Sequence, residues 1–408
     1  MRKLLVALMI VACAATAFAE VTVSGYYNVN GVYEQNLAKV DKNTDDQNMY
    51  YEHEFKLWVN AQTDKDTYFK SKFEITDKTW ATSGAAETYG TETTGTGSNN
   101  GIQLERAWMG HNFGILTLDV GIMSGGGWGY AFGDNVEGKY RVKATIPAGP
   151  GKIVTYLEKS KENNNEGTDR KDADKDDKDS YALGYSGKFG GFTVAPLVVY
   201  TEDGNVDATD GDVDNTSLLF DLALGGSFGP IGFEAEYKTA KTDVEVGEDY
   251  TVWGAYGNIY GKVANTTIGF LSAYSSYDKD TKKAFDMADD FDDNFGFVLG
   301  EKGMLANVQS QYGVTAGSYS GLAAVWINGL YANYDITEKL NVNGGVIYAM
   351  STVDDDDTTA YEADIVFNYA ITKALTYQVM FGYAEIDLDG GPDPDASMLL
   401  QHGLTLSF

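Results

Sequence analysis

From Glu20 onward the chain is made of short segments in which apolar and polar residues alternate. A period of two is the signature of strands whose two faces meet different surroundings. The final segment, Ser397 to Phe408, puts Leu400, Leu404, Leu406 and Phe408 on one face and Gln401, Thr405 and Ser407 on the other. Eighteen such segments can be delimited, at 20–34, 50–62, 66–76, 101–113, 114–123, 138–146, 151–159, 180–189, 191–201, 216–228, 230–240, 250–261, 263–276, 320–335, 339–351, 360–371, 374–387 and 397–408. Most span about 10 to 14 residues, long enough to cross a bilayer at a tilt. Long polar connectors alternate with tight turns, the turns being marked by Asn112-Phe-Gly114, Pro147-Ala-Gly-Pro-Gly151, Phe189-Gly-Gly191 and Phe228-Gly-Pro230. Removing one hairpin from this count would leave 16. The pattern therefore predicts an all-β protein, a transmembrane antiparallel up-and-down β-barrel of 16–18 strands.

No run of about 18 apolar residues follows the first few residues, so no helix can span a bilayer. A membrane-spanning chain of this kind must close its strands, because unpaired backbone groups are too costly in lipid. At the N-terminus, Arg2 and Lys3 precede an apolar stretch from Leu4 to Ala12, and Ala17-Phe18-Ala19 forms a small-x-small site before Glu20. That is the order of an export signal. The expected organisation is a cleaved signal peptide over 1–19 and a barrel with long acidic extracellular loops over 20–408. Ile10-Val-Ala-Cys13 offers an alternative, lipidation at Cys13. Cys13 is the single cysteine, so the exported part carries none, which suits an oxidising compartment. A secreted soluble all-β protein would show the same alternation. Tyrosines placed at strand ends favour the membrane: Tyr26 and Tyr27, Tyr50 and Tyr51, Tyr274 and Tyr277, Tyr331 and Tyr334, Tyr361 and Tyr369 read as two interfacial girdles.

The chain carries 30 basic and 60 acidic residues, a net charge of −30. This balance argues against a nucleic-acid partner. Most of the acids fall in connectors, as in Asp169 to Asp179, Glu202 to Asp214, Asp286 to Asp293 and Asp354 to Asp357. Such loops are a solvated surface, and with divalent cations they can engage lipopolysaccharide or draw cations to a pore mouth. Asp172-x-Asp174-x-Asp176 has the spacing of a calcium loop, but Asp177 stands where the turn glycine belongs and no closing Glu follows. His53, His111 and His402 lie on separate segments, and no metal spacing, nucleophile elbow or phosphate loop occurs. Neither an enzyme, a metal nor a cofactor is expected. Within the strands, Glu52, Glu54, Lys56 and Asn60 share one face of the second, and Lys70, Lys72 and Glu74 one face of the third. Lys139, Arg141 and Lys143 share one face of the sixth. A charge facing lipid costs a few kcal/mol, so these faces are expected to line the interior.

The segment Leu104 to Gly121 resembles the fourth and fifth strands of general, non-specific Gram-negative porins. The matching residues are Arg106-Ala-Trp-Met-Gly110, then Phe113-Gly-Ile-Leu-Thr-Leu118 and Gly121. Phe408 is similar to the terminal Phe that the barrel assembly machinery reads in that family, although Leu406 stands where an aromatic is common. Glu105 occupies the place of the family's arginine, which puts a basic wall residue there in doubt. The resemblance implies a homotrimer in the Gram-negative outer membrane, in contact with lipid and lipopolysaccharide, passing small hydrophilic solutes and ions passively and without cofactor. It further implies that the connector 124–137 folds into the pore as a constriction loop, with Trp128, Tyr130 and Phe132 as its bulk. Asp134 and Glu137 would form its acidic side, opposite Lys139, Arg141 and Lys143. A simple outside loop is the alternative. The acidic mouth leads us to expect cation preference. A sugar- or other solute-selective channel, which an 18-strand count favours, and a structural or sheath barrel are the other functional readings. The connector 277–319 is long enough to plug the barrel, fold inward or reach a neighbour.

Overall fold

The computed structural model describes residues 20–37, 47–80, 102–161, 177–207, 211–287, 291, 296–301, 323–390 and 394–408. The predicted export segment 1–19 and the Asp172-x-Asp174-x-Asp176 spacing lie outside them. The strands are β1 (Glu20–Gln35), β2 (Gln47–Gln62), β3 (Thr67–Thr79), β4 (Gln103–Asn112), β5 (Thr117–Gly126), β6 (Asp134–Ala148), β7 (Gly151–Lys161), β8 (Lys178–Phe189), β9 (Phe192–Asp207) and β10 (Gly211–Phe228). They continue with β11 (Ile231–Asp243), β12 (Tyr250–Val263), β13 (Thr266–Ser275), the short β14 (Tyr277–Asp278) and β15 (Lys283–Ala284), then β16 (Val325–Asp335), β17 (Leu340–Ser351), β18 (Thr359–Ala370), β19 (Leu375–Asp387) and β20 (Ser397–Ser407). Eighteen of them form one antiparallel sheet in chain order, and β1 pairs with β20 to close it. The seam ends on the terminal residue, since Phe408 N–H donates to Gly25 O and Gly25 N–H to Phe408 O, at 3.0 and 2.9 Å. β14 and β15 form a separate small ribbon inside the barrel's longest connector.

Eight tight turns gather at one end, which β1 and β20 share with Glu20 and Phe408. Left-handed glycines at Gly114, Gly149, Gly190 and Gly229 make four of the turns that the Gly and Pro signals marked. In the turn after β2, Asp64 accepts the N–H groups of Asp66 and Thr67 at 2.8 and 2.7 Å, which holds its carboxyl below the usual range. The opposite end carries the longer connectors. One of these is shorter than predicted, because β9 and β10 continue pairing through Asp207 and Gly211. Much of the acidic run Glu202 to Asp214 is therefore strand. Cross-strand backbone bonds satisfy the ladder there whatever the side chains are, and hydropathy marks only the part of a strand that meets lipid.

Register then sorts every residue. Leu183, Leu218, Ile259, Ile268 and Leu330 project outward with more than half their surface exposed, and Leu400, Leu404 and Phe408 of the closing segment are exposed on the same side. Tyr27, Tyr334 and Tyr369 lie outward near the turn end, and Tyr51, Tyr274 and Tyr361 outward near the loop end. Tyr361 and Tyr369 are eight residues apart, about 27 Å along the strand, which matches a lipid band crossed at a tilt. The girdles hold six of the ten predicted tyrosines. Tyr26, Tyr50 and Tyr331 face the interior, where Tyr26 bonds Glu54 and Tyr331 bonds Asn258, because neighbours in a strand take opposite faces. Tyr277 belongs to the ribbon.

The largest buried apolar cluster lies within the barrel. Val252, Ala273, Ile327, Ile347, Met380 and Leu399 point inward from β12–β20, and Phe285, Met287, Phe291, Val298 and Leu299 of the connector after β13 pack on them. Phe132, from the connector between β5 and β6, joins the same cluster from across the lumen, its ring 5.1 Å from that of Phe285. The barrel's two halves thus differ. The interior of β12–β20 is apolar and covered toward the loop end and lined by amides such as Asn258, Asn333, Asn341, Asn343 and Gln378 toward the turn end, whereas that of β1–β11 carries most of the charges.

Candidate functional site

The charged wall begins on β2. Glu52, Glu54, Lys56 and Asn60 lie opposite inward residues of β1 and β3, and Lys70, Lys72 and Glu74 continue the face on β3. Lys56 pairs with Glu54, and its ammonium is 3.8 Å from Glu74 and 3.6 Å from Glu105. Lys72 pairs with Glu105 and sits 5.6 Å over the ring of Trp58, and Lys70 sits 5.8 Å from that of Trp108. A bulge in the β3–β4 ladder lies between Lys72/Arg106 and Phe73/Leu104, so Glu105 is an extra residue. It removes the conflict raised by the shifted porin pattern: Glu105 and Arg106 both serve the interior side. Glu54, Glu74 and Asp77 bring carboxylate oxygens within 4.8 Å of one another, and Lys56 is the cation among them.

On β6 the ladder sets Lys139, Arg141 and Lys143 opposite Met123, Gly121 and Asp119, on the interior face, and exposes Tyr140 and Val142 to lipid. The Arg141 guanidinium is fixed three ways. Its Nε donates to Glu158 at 2.6 Å, its Nη1 to Ser124 O at 2.8 Å, and its plane lies 4.2 Å from the Tyr156 ring. The Lys143 ammonium is 3.6 Å from Asp119, which also accepts from Tyr68 at 2.6 Å.

The connector predicted as 124–137 is shorter in the structure. Strand β5 runs to Gly126 and β6 starts at Asp134, leaving 127–133, and the side chains of Asp134 and Glu137 lie outside the described residues. These seven residues turn into the lumen and reach β8–β12. Trp128 donates from Nε1 to Ala195 O at 3.0 Å, and its ring lies over Gly184, where a Cβ would come within 2.6 Å. Tyr130 seats its hydroxyl against Gly225 in the same manner. The Glu236 carboxylate of β11 accepts three successive backbone N–H groups, from Tyr130, Ala131 at 2.8 Å and Phe132 at 3.3 Å, and Lys238 donates to Phe132 O. Glu362 on β18 treats the second inward segment alike, accepting from Val298 and Leu299 N–H at 2.8 Å each.

Sequence reasoning missed Glu236, Lys238 and Glu362, which hold the inward segments. An acid on an inward register paired with a small or apolar partner, Glu236 with Ala223 and Glu362 with Ile347, is the signal that marks the two carboxylates. A buried carboxylate needs donors, and backbone N–H groups supply them. All three histidines face outward: His53 bonds Trp80, His111 bonds Thr67, and His402 lies near Tyr51 and Tyr377. None reaches the lumen.

A closed 18-strand barrel with a lipid-facing apolar band, a charged inner wall and two segments folded into its bore defines an outer-membrane channel. The family model for Gram-negative porins matches residues 5–391, and the chain belongs to that family. Similar solved structures include OccK3 (OpdO) of Pseudomonas aeruginosa, 9% identical with a TM-score of 0.56, covering 95% of each chain. OccK11 (OpdR) of the same organism is 12% identical with a TM-score of 0.54, over 95% of this chain and 96% of the other. The outer membrane channel DcaP of Acinetobacter baumannii is 13% identical at a TM-score of 0.51, over 96% and 98%. At these identities the likeness is one of fold. No match is found among curated proteins.

Proposed function

We propose that this protein is a passive, water-filled channel of the outer membrane for small hydrophilic solutes and ions, and not an enzyme. The supporting observation is the seating of 127–133 across the bore, fixed by Glu236 and Lys238, with the charged residues of β2 to β6 on the interior face of the barrel beside it. In this reading Trp128, Tyr130 and Phe132 narrow the passage, and Glu52, Glu54, Lys56, Lys70, Lys72, Glu74, Glu105, Lys139, Arg141 and Lys143 form its polar lining. Opposite charges held on one wall keep solutes hydrated and orient dipolar ones. Small inorganic cations are favoured, because the net charge of −30 is concentrated at the loop end and raises their local concentration. Residues 1–19 act as the export signal, and Phe408, exposed at the seam, is the assembly signal. The acidic loops face lipopolysaccharide, and three copies assemble, as the family resemblance implies.

Planar-bilayer recording of the purified protein tests this. Stable openings in steps of three, with a reversal potential favouring K⁺ across a KCl gradient, are expected. Absence of conductance would overturn the channel reading and leave a structural barrel in its place.

A further inference from the structure

We propose that the underside of the inward connector is a binding site for a small organic oxyanion, a carboxylate or a phosphate ester with a compact apolar body. This deepens the channel reading and rests on it. A cavity of about 430 Å³ lies between residues 124–130 and the wall of β6–β10, a size that suits a small organic molecule. Arg141, Lys143 and Lys152 line it, and no acidic residue does among the described residues. In a chain with twice as many acids as bases, an acid-free lining with three cations is the reverse of what composition supplies.

The counter-charges stand to one side. Glu158, directly opposite Arg141 in the ladder, holds its guanidinium, and Asp119, opposite Lys143, holds that ammonium, yet neither acid lines the cavity. The smaller cavity of about 220 Å³ above, which shares Arg141, is lined by Glu158 and Asp221 as well, so the acid-free zone is confined to the turn-end side. Arg141 is pre-oriented. Its contacts with Glu158 and Ser124 use three of the five N–H donors of a guanidinium, and two are left for a ligand. Lys152 is exposed on the inward face of β7 and makes no ion pair among the described residues. A wall of Val154, Ala195, Leu197 and Ala223, closed by the Trp128 ring, gives the apolar part of a solute somewhere to lie. The fit is therefore for charge at one end and hydrocarbon at the other, and a bare inorganic ion would leave the apolar side unused.

The test is calorimetric titration of the purified full-length protein in detergent at low ionic strength. The probes are cyclohexanecarboxylate, the isosteric neutral cyclohexanecarboxamide, and cyclohexyl phosphate. Saturable binding of either anion with none of the amide is expected, weakened about tenfold in Lys152→Gln and further in Lys152→Gln combined with Lys143→Gln. Binding of the phosphate alone would assign the site to phosphate esters, and of the carboxylate alone to carboxylates. Equal binding of the amide, no binding of either anion, or anion affinity unchanged in both variants would overturn the proposal. KCl conductance of the same preparations separates the two failures, since a channel that conducts without binding leaves the channel reading standing.

Discussion

Replacing Glu236 by Gln is the sharpest perturbation of the constriction. The wild-type carboxylate is 2% exposed and accepts from Tyr130 and Ala131 through Oε2 and from Phe132 through Oε1. A hydrogen bond to a charged group contributes about 1.5–3 kcal/mol, and one between neutral groups about 1 kcal/mol. Glutamine retains one oxygen for two of the donors, weakened by loss of charge, and turns an NH2 toward the third N–H, which loses its partner. Together these cost about 3 kcal/mol. Asp221, itself 1% exposed, neighbours Glu236 diagonally on the interior face, and relief of that like-charge repulsion returns roughly 1 kcal/mol. The net, about 2 kcal/mol, shifts the seated-to-released equilibrium of the connector by roughly thirtyfold. The barrel ladder does not involve this side chain. The variant is therefore expected to retain the wild-type heat-modifiable migration of a folded barrel, with noisier single-channel current and a larger mean conductance. A folded variant with wild-type conductance and noise would refute the claim that Glu236 holds the connector in the bore.

Phe132→Ala removes a ring with no exposed surface from the cluster with Phe285 and Phe291. It is expected to cost about 3–5 kcal/mol of packing, read as raised conductance with the barrel intact. Lys56→Gln withdraws the cation from among Glu54, Glu74 and Asp77, so conductance should become sensitive to millimolar Ca²⁺, which leaves the wild type unaffected. Leu330→Arg puts a charge on an outward residue of β16 that is 54% exposed. Refolding into liposomes should show a loss of about 2–4 kcal/mol if the site is near the midplane. Deleting Phe408 removes the two seam bonds to Gly25 and should slow closure of the barrel, seen as a delayed appearance of the folded band.

What could be read beforehand depended on which surroundings a residue meets. Strands with one face in lipid and the other in a polar bore, such as β6 with Tyr140 and Val142 outside and Arg141 and Lys143 inside, alternate cleanly and announce their register. Strands β13, β16 and β17 alternate poorly, because Ala273, Ile327 and Ile347 face an interior that is itself apolar. A segment apolar on both faces inside a barrel is a sign of something packed within, and the connector after β13 is that object. The girdle tyrosines show the opposite limit: proximity in sequence placed Tyr26 beside Tyr27, and the pleat sent them to opposite sides.

The sequence alone determined the class of architecture, the strand number to within one hairpin and the inward direction of the charged faces, because lipid imposes one simple rule on every residue of a strand. The tertiary structure decided how the bore is divided. The seats of the two inward segments depend on Glu236 and Glu362 meeting backbone N–H groups more than sixty residues away, on Gly184 leaving room for Trp128, and on an apolar wall assembled from eight strands. Local periodicity carries no record of such contacts, since each is made by groups whose shared position exists only once the barrel has closed.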